Sequence, residues 1–382
     1  MSVAERYVEL CLRLARHDED LVDFYFGPAE IAERVAGASL REPALLVEDA
    51  RSLPEQTDSA YLRAQLRGLE IVARKLAGEE ISYADEVEGC YGTRPELAPE
   101  ERFEQAHEAL DELLPPGGSL AERFQRWHDG DPVPVDRLDA VLRALGERLR
   151  EKTRELFGLP DGETFELELV SGKHWEGFND YRGGLRSRVE VNTDLPIAAN
   201  SVVALMAHEL YPGHHTERVW KEELLYVGRG QLEESVLVYG TPQSVITEGI
   251  AKLAVEMVVD DHGELVAEVL NEQGVAYEPD TARRVRRVAE SLDRVIANAA
   301  ILLHVEGVST DEARAYLQRW DLSSEERAQQ HVEFVMDRWG RAYIMTYTDG
   351  YDLCREWVAG DPQRFKRLLT EQLTTADLAA QP

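Results

Sequence analysis

Positive charge is scarce in this chain of 382 residues: 42 Lys and Arg face 73 Asp and Glu, a formal net charge of −31. Phosphate binding requires clustered Lys and Arg, so the balance argues against a nucleic-acid partner. It equally disfavours an anionic membrane surface. Lysine is rarer still, at six positions (75, 152, 173, 221, 252 and 366), which fits either a high-salt surface or a GC-rich coding bias. Cysteine is thin as well: Cys11, Cys90 and Cys354 are odd in number, far apart and in no metal-ligand spacing. They read as single buried thiols in a reducing cytoplasm. No stretch reaches the about 18 consecutive apolar residues of a membrane-crossing helix. The opening MSVAERYVELCLRLARHDED mixes charge with apolar residues and lacks the hydrophobic run of a secretory signal. The expectation is a cytoplasmic protein with neither a nucleic-acid nor a membrane partner. Its 43% hydrophobic and 30% charged residues suffice for a sizeable core.

Apolar residues recur every three to four positions in Tyr61–Leu76, at Leu62, Leu66, Leu69, Val72 and Leu76, which predicts an amphipathic helix. Helices are also expected over Ala4–Leu14, Pro99–Leu114, Leu120–Trp127 and Val135–Phe157. Pro115–Gly118, Gly130-Asp131-Pro132 and Pro160-Asp161-Gly162 punctuate them. Beyond Gly162 the period changes to two. Thr164–Val170 and Leu185–Val191 alternate as strands, with a turn at Tyr181–Gly184, which suggests a small antiparallel sheet. An apolar helix follows at Ile197–Leu210, and the chain is then mostly helical to Leu378. The predicted fold is mainly α: a single large helical body with a small antiparallel sheet before its central helix. It divides into an N-terminal helical region, 1–160, and a sheet plus metal-binding helical region, 161–382, packed as one body.

The most informative stretch is Ala207-His208-Glu209-Leu210-Tyr211-Pro212-Gly213-His214-His215, with three of the ten histidines in eight residues. The usual zinc-peptidase motif places two His at i and i+4 on one helical face, with Glu after the first as general base. Here i+4 is Pro212. On an unbroken helix His214 lies about 240° round from His208, and His215 about 10.5 Å along the axis. Neither suits a zinc with legs of about 2.0–2.1 Å. Pro212 cannot continue a regular helix, and Gly213 admits backbone angles closed to other residues. A two-residue bulge would bring His214 to the i+4 place; a three-residue excursion would bring His215. His214 is favoured and His215 kept as the alternative; the competing view is that these histidines merely cap a broken helix. A catalytic site needs a third protein ligand. Glu248, in the otherwise apolar Ser244–Val258, is preferred over Glu233 and Glu234, which read as a solvated helix face. Gly249 and Ala251 beside it would admit a close helix neighbour.

His208-Glu209-x-x-Pro212-Gly213-His214-His215 followed by Glu248-Gly249-x-Ala251 resembles the bacterial domain-of-unknown-function family 885. The resemblance extends from about Tyr61 to Tyr351, including Asn192-Thr193-Asp194-Leu195-Pro196 and His304-x-x-Gly307-x-Ser309-Thr310. Ile250 departs from it, standing where a bulky aromatic is expected. It implies a zinc-dependent, gluzincin-like metallopeptidase related to helical carboxypeptidases and oligopeptidases, with one zinc ion per chain.

Residues and resemblance agree on roles. His208, His214 and Glu248 hold the metal, and Glu209, about 100° off the ligand face, serves as general base. Tyr343 and Tyr347 share a face at i and i+4 and are candidate donors to a developing oxyanion, or ordinary half-buried core. Arg341 and Tyr351 are candidate substrate contacts, with Tyr351 placed beyond the helix end. His304 is either an outer partner of the metal site or a satisfied core histidine. The 185–191 strand offers a sheet edge to a peptide. Arg186 and Arg188 on one of its faces could meet a substrate carboxylate, though balancing nearby acids is the plainer reading. The expected function is hydrolysis of a peptide or another amide. A non-catalytic helical scaffold and a metal-dependent amidohydrolase on a non-peptide substrate are the alternatives.

Overall fold

The computed structural model describes residues 1–130, 132–173, 175–194, 196–259 and 263–380. Asp131 and Leu195, which the sequence reading placed in a turn and in the stretch before the motif, lie outside the described residues. The fold is mainly α. The amphipathic segments become helices close to their expected bounds, including Val3–Ala15, Ala60–Leu76 (α1), Glu100–Leu113, Leu120–Asp129 and Val135–Phe157 (α2). In α2 the buried stripe Leu138, Val141, Leu142, Leu145 and Leu149 supplies one wall of the main core. No helix among the described residues is long and apolar enough to cross a membrane.

A two-stranded antiparallel sheet joins β1 (Val22–Tyr25) to β5 (Val236–Val238), so the first and second regions share a sheet. A three-stranded sheet precedes the central helices, formed by β2 (Thr164–Val170), β3 (Gly177–Tyr181) and β4 (Arg186–Asn192) in the order β2-β4-β3. The pairing expected between the first and last of these is corrected: β2 and β4 run parallel. The antiparallel partner of β4 is β3, across the turn at 182–185 where Gly183, Gly184 and Leu185 have positive φ. Alternation reveals which face a strand buries and says nothing about partner direction. The expected edge strand is therefore the central one, and β2 and β3 form the edges.

The apolar helix expected at Ile197–Leu210 starts later, at Val202, because Ala198 is drawn into a bridge with Pro132. Four helices frame the site: α3 (Val202–Glu209), α4 (His214–Lys221), α5 (Pro242–Val258) and α6 (Gly340–Val358). Tyr351 lies inside α6, correcting its expected place beyond the helix end. Gly350 does not stop the helix because its backbone is packed against α5. A Cβ on Gly249 would lie 2.3 Å from Gly350 O, and one on Gly350 2.2 Å from Val245 O. Two glycines thus let α5 and α6 touch backbone to backbone, the close approach anticipated at Gly249. Ile250 is fully buried in the main core.

Candidate metal centre

The chain breaks where Pro212 withholds an amide. Leu210 leaves helical angles (φ −115°, ψ −85°), and α4 begins at His214. Between them the chain doubles back over the end of α3: the Gly213 amide donates to Ala207 O at 3.0 Å and the Thr216 amide to Leu210 O at 3.2 Å. A Cβ on Gly213 would sit 2.0 Å from His208 O and 2.4 Å from Ala207 O, so only glycine fits. The excursion brings His214 beside His208, with ring centroids 4.7 Å apart and planes at 87°.

Glu248 arrives from α5. Its Oε2 is 3.5 Å from His208 Nε2 and 3.9 Å from His214 Nε2. One ligand atom from each of the three residues fits within a 4.8 Å cluster. Tetrahedral legs of about 2.1 Å separate ligand atoms by about 3.4 Å, so the spacing suits a divalent ion. Glu248 Oε2 is buried without a hydrogen-bond partner, as is His214 Nδ1. An orphaned carboxylate oxygen facing two imidazole nitrogens is costly unless a cation completes it. Both rings are neutral and keep a lone pair. Burial, then the charges of Lys252 and Arg218, push His208 down to about 3. Burial and the neighbouring His208 push His214 well below the usual histidine range.

Glu209 closes α3 against the sheet. A Cβ on Gly177 of β3 would lie 3.1 Å from Glu209 Cγ and 3.2 Å from Oε1, so the edge strand carries glycine where the carboxyl rests. No group among the described residues hydrogen-bonds that carboxyl. Burial, reinforced by the charge of Glu248, pushes it up to about 8. Glu248 rises to about 7, again chiefly through burial, against the hydrogen bond donated by Tyr343. Tyr343 Oη donates to Glu248 Oε1 at 2.7 Å. Tyr347 packs edge-on against Tyr343, with centroids 5.4 Å apart. Burial and then the charges of Glu248 and Glu209 push the Tyr347 phenol well above its usual range.

The other expected site residues lie elsewhere. His215 faces away from the cluster: its Nδ1 bonds Ser187 Oγ at 2.7 Å and its Nε2 bonds Glu163 Oε2 at 3.1 Å. Glu163 is held down to about 2: burial opposes this, but hydrogen bonds from His215, Tyr211 and Arg150 outweigh it. Next to that carboxylate the neutral His215 donates through Nε2 and accepts at Nδ1, leaving no lone pair for a metal. Arg341 is paired with buried Glu86, and Tyr351 Oη donates to Glu256 Oε1 at 2.5 Å with Glu290 Oε2 a further 3.1 Å neighbour. His304 bonds Val335 O at 2.7 Å and stacks on Tyr83, the satisfied-core alternative. Arg188 is paired with Glu168, Asp180 and Glu190, so it balances acids. Glu233 and Glu234 are buried in a 3₁₀ turn beside Gln372, not on a solvated helix face.

Sequence reading missed Gly177, Asn179, Asp23, Arg218 and Tyr239. Asn179 Nδ2 donates to Glu209 O at 2.6 Å, and Arg218 Nη1 donates to Asn179 O and Oδ1. Arg218 Nη2 reaches Asp23 at 2.7 Å, and Tyr239 Oη donates to the same carboxylate at 3.2 Å. The one available signal was Arg218 standing four residues after His214, on the same helical face.

No family model and no curated protein matches the chain. A solved structure of a candidate lipoprotein from Colwellia psychrerythraea is similar at a TM-score of 0.54 and 16% identity, covering 92% of this chain and 68% of that one. A candidate lipoprotein of unknown function from Shewanella oneidensis aligns at 0.49 and 13%, covering 96% and 76%. The first likeness shows a shared fold and nothing about activity.

Proposed function

We propose that this chain is a zinc-dependent hydrolase acting on peptide or other amide bonds, of the metallopeptidase kind that the family-885 resemblance implies. The observation that carries the reading is the convergence of His208 Nε2, His214 Nε2 and Glu248 Oε2 beside a Glu209 carboxyl with no hydrogen-bond partner among the described residues. Zinc in such a site supplies Lewis acidity, polarising a carbonyl and lowering the pKa of a water to near 7. Glu209 does the proton work. Its buried carboxyl, without a hydrogen-bond partner among the described residues and lying beside the cluster, would as carboxylate take a proton from the attacking water at its Oε and pass it to the leaving amine. Tyr343 is committed to Glu248 and orients it. Tyr347 packs against Tyr343 and its phenol feels the charge of both carboxyls, so it is the phenol suited to donate to the substrate oxygen that gains charge. β3 is a sheet edge and carries Gly177 against Glu209, so a peptide added along it would bring its backbone to the base.

The test is metal analysis of the purified protein together with a peptide-library cleavage profile, with and without chelator. One zinc per chain and cleavage abolished by chelator support the reading. Absence of bound zinc, or cleavage indifferent to chelator, contradicts it.

A further inference from the structure

A buried arginine beside a proposed dication site is an electrostatic contradiction that the fold must resolve. Arg218 lies one turn beyond His214 on α4, and its side chain is 7% exposed. Its charge is felt by four groups of the site: His208, His214, Glu209 and Glu248. Left alone, that charge would repel a divalent ion. Its fork is spent on Asn179 and Asp23, its Nε has no partner, and its guanidinium lies over the Phe24 ring at 4.9 Å.

Asp23 comes from the far N-terminal part of the chain, on β1. The register of β1 against β5 shifts between Val22 and Phe24, so Asp23 is the extra residue of a bulge. A bulge re-aims a side chain, and here Asp23 and its neighbour Phe24 both reach Arg218. The Asp23 side chain is only 4% exposed. It also accepts from Tyr239, whose ring packs edge-on against Tyr343, the donor to Glu248. Two arms therefore leave the Asp23–Arg218 pair. One runs through Asn179 to the Glu209 carbonyl, the other through Tyr239 and Tyr343 to Glu248.

We propose that Asp23 and Arg218 are a positioning pair for the metal centre. Arg218 fixes the edge strand and Glu209 through Asn179, and Asp23 cancels the guanidinium charge so that a divalent ion can bind beside it. This rests on the zinc-site reading above.

The experiment is zinc affinity, measured by competition with a chromophoric chelator, for the wild type, Asp23→Asn, Arg218→Gln and the double variant, with helical circular dichroism as the check on folding. Asp23→Asn keeps the side-chain shape and bares the arginine charge, so it should weaken zinc binding about tenfold or more. Arg218→Gln removes the repelling charge, so zinc should bind no more weakly than in the wild type. The double variant, neutral at both positions, should return to within about threefold of the wild type. A merely structural pair would instead weaken zinc binding in both single variants, in step with lost stability. That pattern, or an unchanged affinity in Asp23→Asn, overturns the proposal while leaving the zinc site standing. Should Arg218→Gln fail to fold, Asp23→Asn is read beside its urea midpoint: weaker zinc binding at wild-type stability supports the proposal, and weaker binding in step with lost stability overturns it. A wild type that binds no zinc overturns the zinc-site reading first and this pairing with it.

Discussion

His214 and His215 are consecutive, both buried, and held by different partners. His214 faces His208 and Glu248 with its outer nitrogen unpartnered, whereas both nitrogens of His215 are bonded, to Ser187 and Glu163. Their substitutions should therefore separate. His214→Ala is expected to lose stoichiometric zinc and keep most of its stability. His215→Ala is expected to keep one zinc and lose about 1–3 kcal/mol, the usual cost of stranding a buried hydrogen-bond partner, here Glu163 and Ser187. Metal analysis and urea unfolding check the pair; zinc lost in His215→Ala and kept in His214→Ala would reverse the assignment. The ambiguity between the two histidines was inherent in the sequence, since the excursion at Pro212-Gly213 could have been two residues or three. What separates the two side chains in the structure is Glu163, a carboxylate just before β2 that no spacing rule connects to His215.

At the scale of elements, the site depends on how closely α5 and α6 approach. Gly249 and Gly350 bring those backbones into contact, and this places Tyr343 of α6 against Glu248 of α5. A methyl at position 249 meets Cys354 Sγ and the Gly350 carbonyl, and the backbone carbonyl cannot yield without moving a helix. Gly249→Ala should therefore cost about 1–3 kcal/mol through overpacking, read as a lower urea midpoint. Gly37→Ala, with nothing within 4 Å of the added carbon, is the control; equal midpoints for the two variants would contradict the packing account. The helices were legible because a repeating apolar stripe is local: α2 keeps its expected bounds, Val135–Phe157. The sheet was legible only in part. Thr164–Val170 showed its strand character and its buried face, but its parallel partner is set by β3 occupying the antiparallel side of β4. β1 and β5 are too short to announce themselves by period, so the bulge carrying Asp23 left no trace in the pattern.

Across the whole molecule, the three expected ligands converge from α3, α4 and α5, and the groups bracing them come from β1, β3 and α6. His208, Glu209 and His214 could be picked out because their chemistry is written in consecutive or motif-spaced residues, and Glu248 because it is a carboxylate in an otherwise apolar helix. Asp23, Asn179, Arg218 and Tyr239 could not, because each acts through a contact distant in sequence and none is unusual in its own neighbourhood. The central claim is that this assembly is a working hydrolytic site, and Glu209→Gln measures it most directly. The amide keeps the shape and a hydrogen bond to water but cannot accept a proton. The account predicts one zinc per chain, as in the wild type, with peptide cleavage reduced about 10²–10⁴-fold. Loss of zinc in the variant, which would make Glu209 a ligand, or cleavage at the wild-type rate would contradict it.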